Sequence, residues 1–161
     1  MRIFPTKILL ATDGSEEATS AAQTAAEVAQ KTSSKSCVAY VMYNGTFSEA
    51  GLLLEDEILE ADDPEAKMLK EAEEELLDHL TKPIKAAGGE LAQAQLMLAR
   101  PDREIVGLAK DINAGLIVMG SRGRGGIRRA LLGSVSDSVL RNAHCLVMVW
   151  CPNSREEAQQ P

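Results

Sequence analysis

Five short apolar runs, at residues 7–11, 37–43, 91–99, 116–119 and 145–150, alternate with longer segments of helical periodicity. Runs this short, rich in Ile, Val and Leu and bounded by turn residues, suit buried strands. The first closes on Thr12-Asp13-Gly14-Ser15, and the fourth ends on Gly120. Between them, residues 15–31 are Ala-rich, with Ser15 suited to cap a helix start. Residues 64–87 carry Leu69, Ala72, Leu76, Leu80 and Ile84 three or four apart, a helical stripe. Pro83 lies inside that stripe and predicts a kink or break near Thr81-Lys82. Residues 101–113 and 134–142 supply two more helices, the last following a glycine-rich loop. The order is therefore βαβαβαβαβ. Parallel neighbours need helix-sized crossovers, and strands apolar on both sides need cover on both faces. The expected fold is α/β, an open, doubly wound, parallel sheet of five strands with helices on both faces.

The chain has 161 residues, 45% of them hydrophobic and 25% charged, enough for one ordinary domain. No internal repeat or inner boundary interrupts it, so residues 1–152 are expected to form a single domain. Residues 44–63 are a long connection, and residues 153–161 a polar tail. Cys37, Cys145 and Cys151 make an odd count with no C-x-x-C pair, which fits a reducing compartment. Pro5 and Lys7 interrupt the N-terminal apolar run too early for a secretory signal. No apolar stretch approaches the ~18 residues of a membrane span. A cytoplasmic protein is expected.

The net charge of −7 argues against a general nucleic-acid binder. It is an average of unlike parts. Residues 49–78 hold 13 acids and 2 lysines, a net of −11, which leaves +4 for the rest. An acidic stretch of this kind is first of all a solvated helix face. Arg122, Arg124, Arg128 and Arg129 crowd together among Gly123, Gly125 and Gly126. Glycine lets backbone N–H groups approach an anion closely, and a following helix N-terminus adds unpaired donors and a favourable dipole. A surface loop with solubilising arginines is the plainer alternative.

The chemistry-bearing segment runs Gly120-Ser121-Arg122-Gly123, nine residues, then Gly133-Ser134. Ser134 fits the N-cap of the last helix, with Asp137 three positions on as capping-box partner. It can equally offer its hydroxyl to a phosphate. In open α/β sheets, ligands bind beyond the carboxyl ends of the strands at a topological switch point. Asp13 and Gly120 stand just past strands one and four. If those strands are neighbours, the two flank one crevice. Asp13 would then face a nucleoside hydroxyl or a metal rather than a phosphate; its local alternative is a turn residue before the helix.

These residues resemble the universal stress protein family. The spacing G-x2-G-x9-G-[ST] is met by Gly120, Gly123, Gly133 and Ser134. The opening Ile8-Leu9-Leu10-Ala11-Thr12-Asp13-Gly14-Ser15 and the ending from Ser134-Val135-Ser136-Asp137 to Val147-Met148-Val149 are similar too. The resemblance spans residues 5–150 and implies membership of the subgroup that carries this ATP-binding motif. It implies a Rossmann-like sheet ordered 3-2-1-4-5 and an ATP site. Asp13 would sit beside the ribose, with Ala11 and Thr12 lining the nucleoside and Val41 meeting adenine through its backbone. Met119, Gly120, Arg122 and Gly123 would line the ribose and phosphates. Gly133, Ser134, Val135 and Ser136 would hold the phosphates, and Mg2+ could bridge phosphate oxygens without direct protein ligands. Arg124 is charged and close by. Some relatives bind cyclic AMP or other adenine nucleotides, and some bind none. Arg100 before Pro101 stands where relatives often have glycine.

Other motifs fail. Gly115 to Gly120 has Walker A glycine spacing but continues Ser121-Arg122, and Gly123-Arg124-Gly125 leads to Arg128 instead of a dinucleotide glycine. His79 lies in a charged helix, and His144 lacks companion metal ligands at the usual spacing. No serine has an evident His and acid beside it, so no catalytic residue is assigned. The reading favours an adenine-nucleotide-binding regulatory module in the stress response, with little or no turnover. The alternatives are a slow ATPase or autophosphorylating enzyme, a cyclic AMP-binding protein, and a nucleotide-independent interaction protein. The last strand, with Leu146, Val147, Met148 and Val149, is apolar on both faces, and the strand order that the resemblance implies would put it at a sheet edge. A homodimer pairing such edges would cover them; the chain's own tail is the other cover.

Overall fold

The computed structural model describes residues 2–42, 64–86, 88–98, 100–121 and 132–152. The strands are β1 (Lys7–Thr12), β2 (Lys35–Met42), β3 (Leu91–Leu98), β4 (Ala114–Gly120) and β5 (Leu146–Trp150). The helices are α1 (Glu16–Thr32), α2 (Pro64–Ala86), α3 (Pro101–Asp111) and α4 (Ser134–Asn142). All strand pairs are parallel, in the order β3-β2-β1-β4-β5. This is the expected doubly wound sheet, and the switch point falls between β1 and β4.

The two faces of β1 show why its sequence is apolar throughout. Ile8 and Leu10 point to one face, where they pack with Val38, Leu116, Val118, Ile84 and the alanines of α1. Leu9 and Ala11 point to the other, where they pack with Cys37, Ala39, Ile117, Met119 and residues of α3 and α4. Period-two alternation thus distributes one apolar run between two cores. Ala18, Ala21, Ala22, Ala25, Ala26 and Ala29 of α1 are all buried, so the helix seats closely on the sheet. Cys37, Cys145 and Cys151 are free. Burial pushes the thiols of Cys37 and Cys145 up, so both remain neutral.

Of the kink or break expected near Thr81-Lys82, the break does not occur. α2 continues through Pro83 to Ala86. Proline here interrupts only the last turn, and that turn delivers Ile84, fully buried, into the core against α1. Gly88 then takes φ +74° and ends the helix with its N–H on the Lys85 carbonyl. The connection 44–63 and the tail 153–161 lie outside the described residues. Among the described residues, no helix is long and apolar enough to cross a membrane.

Candidate functional site

The ladder between β1 and β4 ends at Leu10↔Val118. Past that point β1 stays with β2 as far as Thr12↔Tyr40, while β4 stays with β5 as far as Gly120↔Trp150. The sheet therefore parts at the carboxyl ends of its two central strands. Ala11 and Thr12 lie on one side of the parting and Met119 and Gly120 on the other. Val41 stands one residue beyond the β1 ladder, its other backbone edge paired with Met97. Its side chain is outside the described set.

The β1 side of the crevice is a self-bonded turn. The Gly14 N–H donates to Thr12 Oγ1 at 3.2 Å, and the Ser15 N–H donates to Asp13 Oδ1 at 2.9 Å. Gly14 needs its residue type, since φ is +77°. Ser15 caps α1 by accepting from the Ala18 N–H at 3.2 Å, and Glu16 and Glu17 add negative charge to the first turn. Asp13 is thus partly a turn-building residue, the local alternative its position always offered.

The β4 side is organised differently. The N-cap of α4 is Gly133, with φ −71° and ψ 163°, and there is no side-chain cap hydrogen bond. This corrects the expectation that Ser134 caps the helix. Ser134 is already helical and exposed. The Gly133 carbonyl accepts from the Asp137 N–H at 3.0 Å. The Asp137 carboxylate turns along the helix to Arg141 Nε, at 3.0 Å, instead of closing a capping box. Local preference favours serine at the cap, but a tertiary bond moves the start by one residue. The Gly133 N–H donates to the Ser121 carbonyl at 2.6 Å, and this sets the chain extended just before α4.

Ser136, buried, ties that helix start to the end of β4. Its hydroxyl lies 2.9 Å from the Gly120 carbonyl and 3.0 Å from the Ser121 carbonyl, donating to this pair. Ser121 itself donates its hydroxyl to Glu17 Oε2 at 2.8 Å. Asp13, Gly120 and the segment from Gly133 to Ser136 are therefore gathered at one end of the sheet. Arg122, Gly123 and Arg124 fall outside the described residues. The sequence alone does not single out Glu17; a second acid in a helix first turn reads as dipole chemistry. No group of three or more His, Cys, Asp or Glu suited to a metal occurs among the described residues.

Two helix N-termini meet at this crevice, and only one is closed by its own side chains. α1 has a serine cap and two acids in its first turn. α4 has a glycine cap, no side-chain cap hydrogen bond, and one first-turn acid, Asp137, which faces Arg141. Among the described residues, the first turn of α4 thus keeps backbone donors and a positive dipole end for an anion.

Residues 5–150 match the universal stress protein family. A universal stress protein of Methanocaldococcus jannaschii is 34% identical over 145 residues, covering 89% of this chain and 80% of its own length. The chain belongs to the universal stress protein family. The sheet order is shared with solved universal stress proteins. One, solved in complex with cAMP, superposes with a TM-score of 0.64 at 22% identity and covers 93% of this chain and 99% of its own. Another, from Archaeoglobus fulgidus in complex with dAMP, gives 0.60 at 24% identity, covering 92% and 99%.

Proposed function

We propose that this universal stress protein is an adenine-nucleotide-binding regulatory module of the subgroup carrying the G-x2-G-x9-G-[ST] motif, with ATP as its nucleotide. The observation that carries the reading is the open α4 N-terminus at the parting of β1 and β4. The backbone N–H groups of Ser134, Val135 and Ser136, with the Ser134 hydroxyl, are the phosphate donors. Gly133 leaves room for the phosphate to approach. The motif resemblance gives Met119, Gly120, Arg122 and Gly123 to the ribose and phosphates. Asp13 addresses the ribose with Ala11 and Thr12 beside it. Val41, past the end of its β1 ladder, offers its backbone to the adenine. Mg2+ travels with the phosphate oxygens. Two structurally similar universal stress proteins hold cAMP and dAMP, which supports the adenine-nucleotide class.

Little or no turnover accompanies binding. Asp13 accepts from the Ser15 N–H and Glu17 from the Ser121 hydroxyl, so each carboxylate has work in the scaffold. Residues 1–152 act as one cytoplasmic unit, and two copies associate through β5.

Calorimetry with ATP, ADP, AMP and cyclic AMP tests the reading. Wild type is expected to bind ATP, and Gly133→Val to bind it at least about 10-fold more weakly, since a β-branched side chain would occupy the phosphate approach. Folded wild type that binds none of the four overturns the proposal. Equal affinity in Gly133→Val overturns the placement of the phosphates.

A further inference from the structure

Every hydrogen-bonding group of Ser121 is in use. Its N–H donates to the Trp150 carbonyl at 2.8 Å. Its carbonyl accepts from the Gly133 N–H at 2.6 Å and faces the Ser136 hydroxyl at 3.0 Å. Its hydroxyl donates to Glu17 Oε2 at 2.8 Å. The residue is 1% exposed. One serine thus joins the end of β4, the end of β5, the start of α4 and the first turn of α1.

The bond to Glu17 bridges the crevice. Glu17 belongs to the helix that the Asp13-Gly14-Ser15 turn begins, on the ribose side. Ser121 belongs to the segment that fixes Gly133 and Ser136, on the phosphate side. Near an anionic ligand a carboxylate repels, so its placement depends on the groups that hold it. The N-terminal end of α1 stabilises its charge, and the Ser121 hydroxyl gives it a donor at 2.8 Å. Gly120 makes the approach possible. A Cβ on Gly120 would lie 3.2 Å from Glu17 Cβ, so a glycine there lets the first turn of α1 come close.

We infer that Glu17 and Ser121 are positioning residues, a latch across the crevice that holds the phosphate-binding start of α4 in register with the ribose-binding turn. The ligand side of this inference rests on the nucleotide reading above; the latch rests on its own geometry.

Ser121→Ala, Glu17→Ala and Glu17→Gln separate the possibilities. The amide of Glu17→Gln keeps an acceptor oxygen and removes the charge. Calorimetry should show ATP and ADP binding weakened about 10-fold in Ser121→Ala and Glu17→Ala, with adenosine binding within about 2-fold of wild type. Glu17→Gln should keep its ATP affinity within about 3-fold of wild type, or bind more tightly as one negative charge is lost. Tighter ATP binding in Glu17→Ala as well would overturn the latch and leave Glu17 as a mere repulsive charge. Equal weakening of adenosine and ATP would overturn the phosphate-positioning role.

A ligand-free readout stands beside these. The Gly133 amide should exchange about 10-fold faster in Ser121→Ala and Glu17→Ala than in wild type, and within about 3-fold of the wild-type rate in Glu17→Gln. Unchanged exchange in both alanine variants overturns the latch. If wild type binds no nucleotide, the functional reading fails, and Gly133 exchange alone decides whether the latch exists. Should Ser121→Ala fail to fold, the two Glu17 variants carry the same comparison.

Discussion

Gly14 shows how one residue type serves both backbone and site. Its φ of +77° costs an L-residue about 1–2 kcal/mol, a cost glycine escapes. The same turn holds Asp13 through the Ser15 N–H. Gly14→Ala should lower unfolding free energy by about 1–2 kcal/mol, read by denaturant titration. Gly14→Asn should lose clearly less, because Asn tolerates the left-handed region. Equal losses would mean that contacts, and not φ, set the cost. Gly133 is a different case. Its backbone is ordinary extended chain, so no turn demands glycine there. Glycines of one motif therefore answer to separate causes: close helix packing at Gly120, and ligand approach at Gly133 in the proposed function.

Elements on the far side of the sheet are held by polar ties as well as by the core. The Ser138 hydroxyl of α4 donates to Asp102 Oδ2 of α3 at 2.8 Å. That bond is the chief reason the Asp102 carboxyl is held below its ordinary value. Burial opposes it; the Arg103 backbone N–H and the Arg100 charge assist. A carboxyl depressed in the folded state stabilises the fold fully above its unfolded value, about 3.9. The contribution is lost as pH falls from there through the lower folded value. Ser138→Ala should cost about 1 kcal/mol near neutral pH. The gap from wild type should narrow below pH ~4. A gap that stays constant through acid would mean that the hydroxyl acts by packing alone. α2 shows the complementary case, in which the core overrules a local breaker: burying Ile84 carries the helix past Pro83.

For the whole molecule, the open question is its edge. β5 ends the sheet, with Leu146 48% exposed and Val147, Met148 and Val149 only partly covered. Val147 and Val149 pack toward α3 and α4, and Met148 and Trp150 toward α1. An unpaired apolar edge is an association surface unless covered. Leu146 is the better probe of the proposed dimer, since a charge at Val147 would also disturb the core. Leu146→Glu should shift a dimer to monomer in sedimentation, with at least about 10-fold weaker association. An undisturbed dimer would place the interface elsewhere. The Ser121 N–H bond to Trp150 joins this edge to the crevice, so edge and site share one framework.

The amino-acid pattern alone carries most of the architecture. Apolar runs of four to nine residues, separated by helical periods, leave a parallel sheet as the economical way to satisfy the backbone and cover both faces. The glycine spacing likewise marks where the chain turns toward a ligand, because spacing is a local property. What the pattern cannot hold is any balance struck between distant residues. Propensity puts Ser134 at the helix cap; the Gly133 bond to Ser121 gives the cap to Gly133 and leaves the helix start open. Propensity breaks α2 at Pro83; the burial of Ile84 carries it through. Glu17 reads as an ordinary first-turn acid until a strand 104 residues later brings the Ser121 hydroxyl to it. Local sequence sets which elements form, since their periods and turns are written within a few residues. Tertiary packing decides where they begin and what they hold, since those depend on groups that meet only once the sheet is assembled.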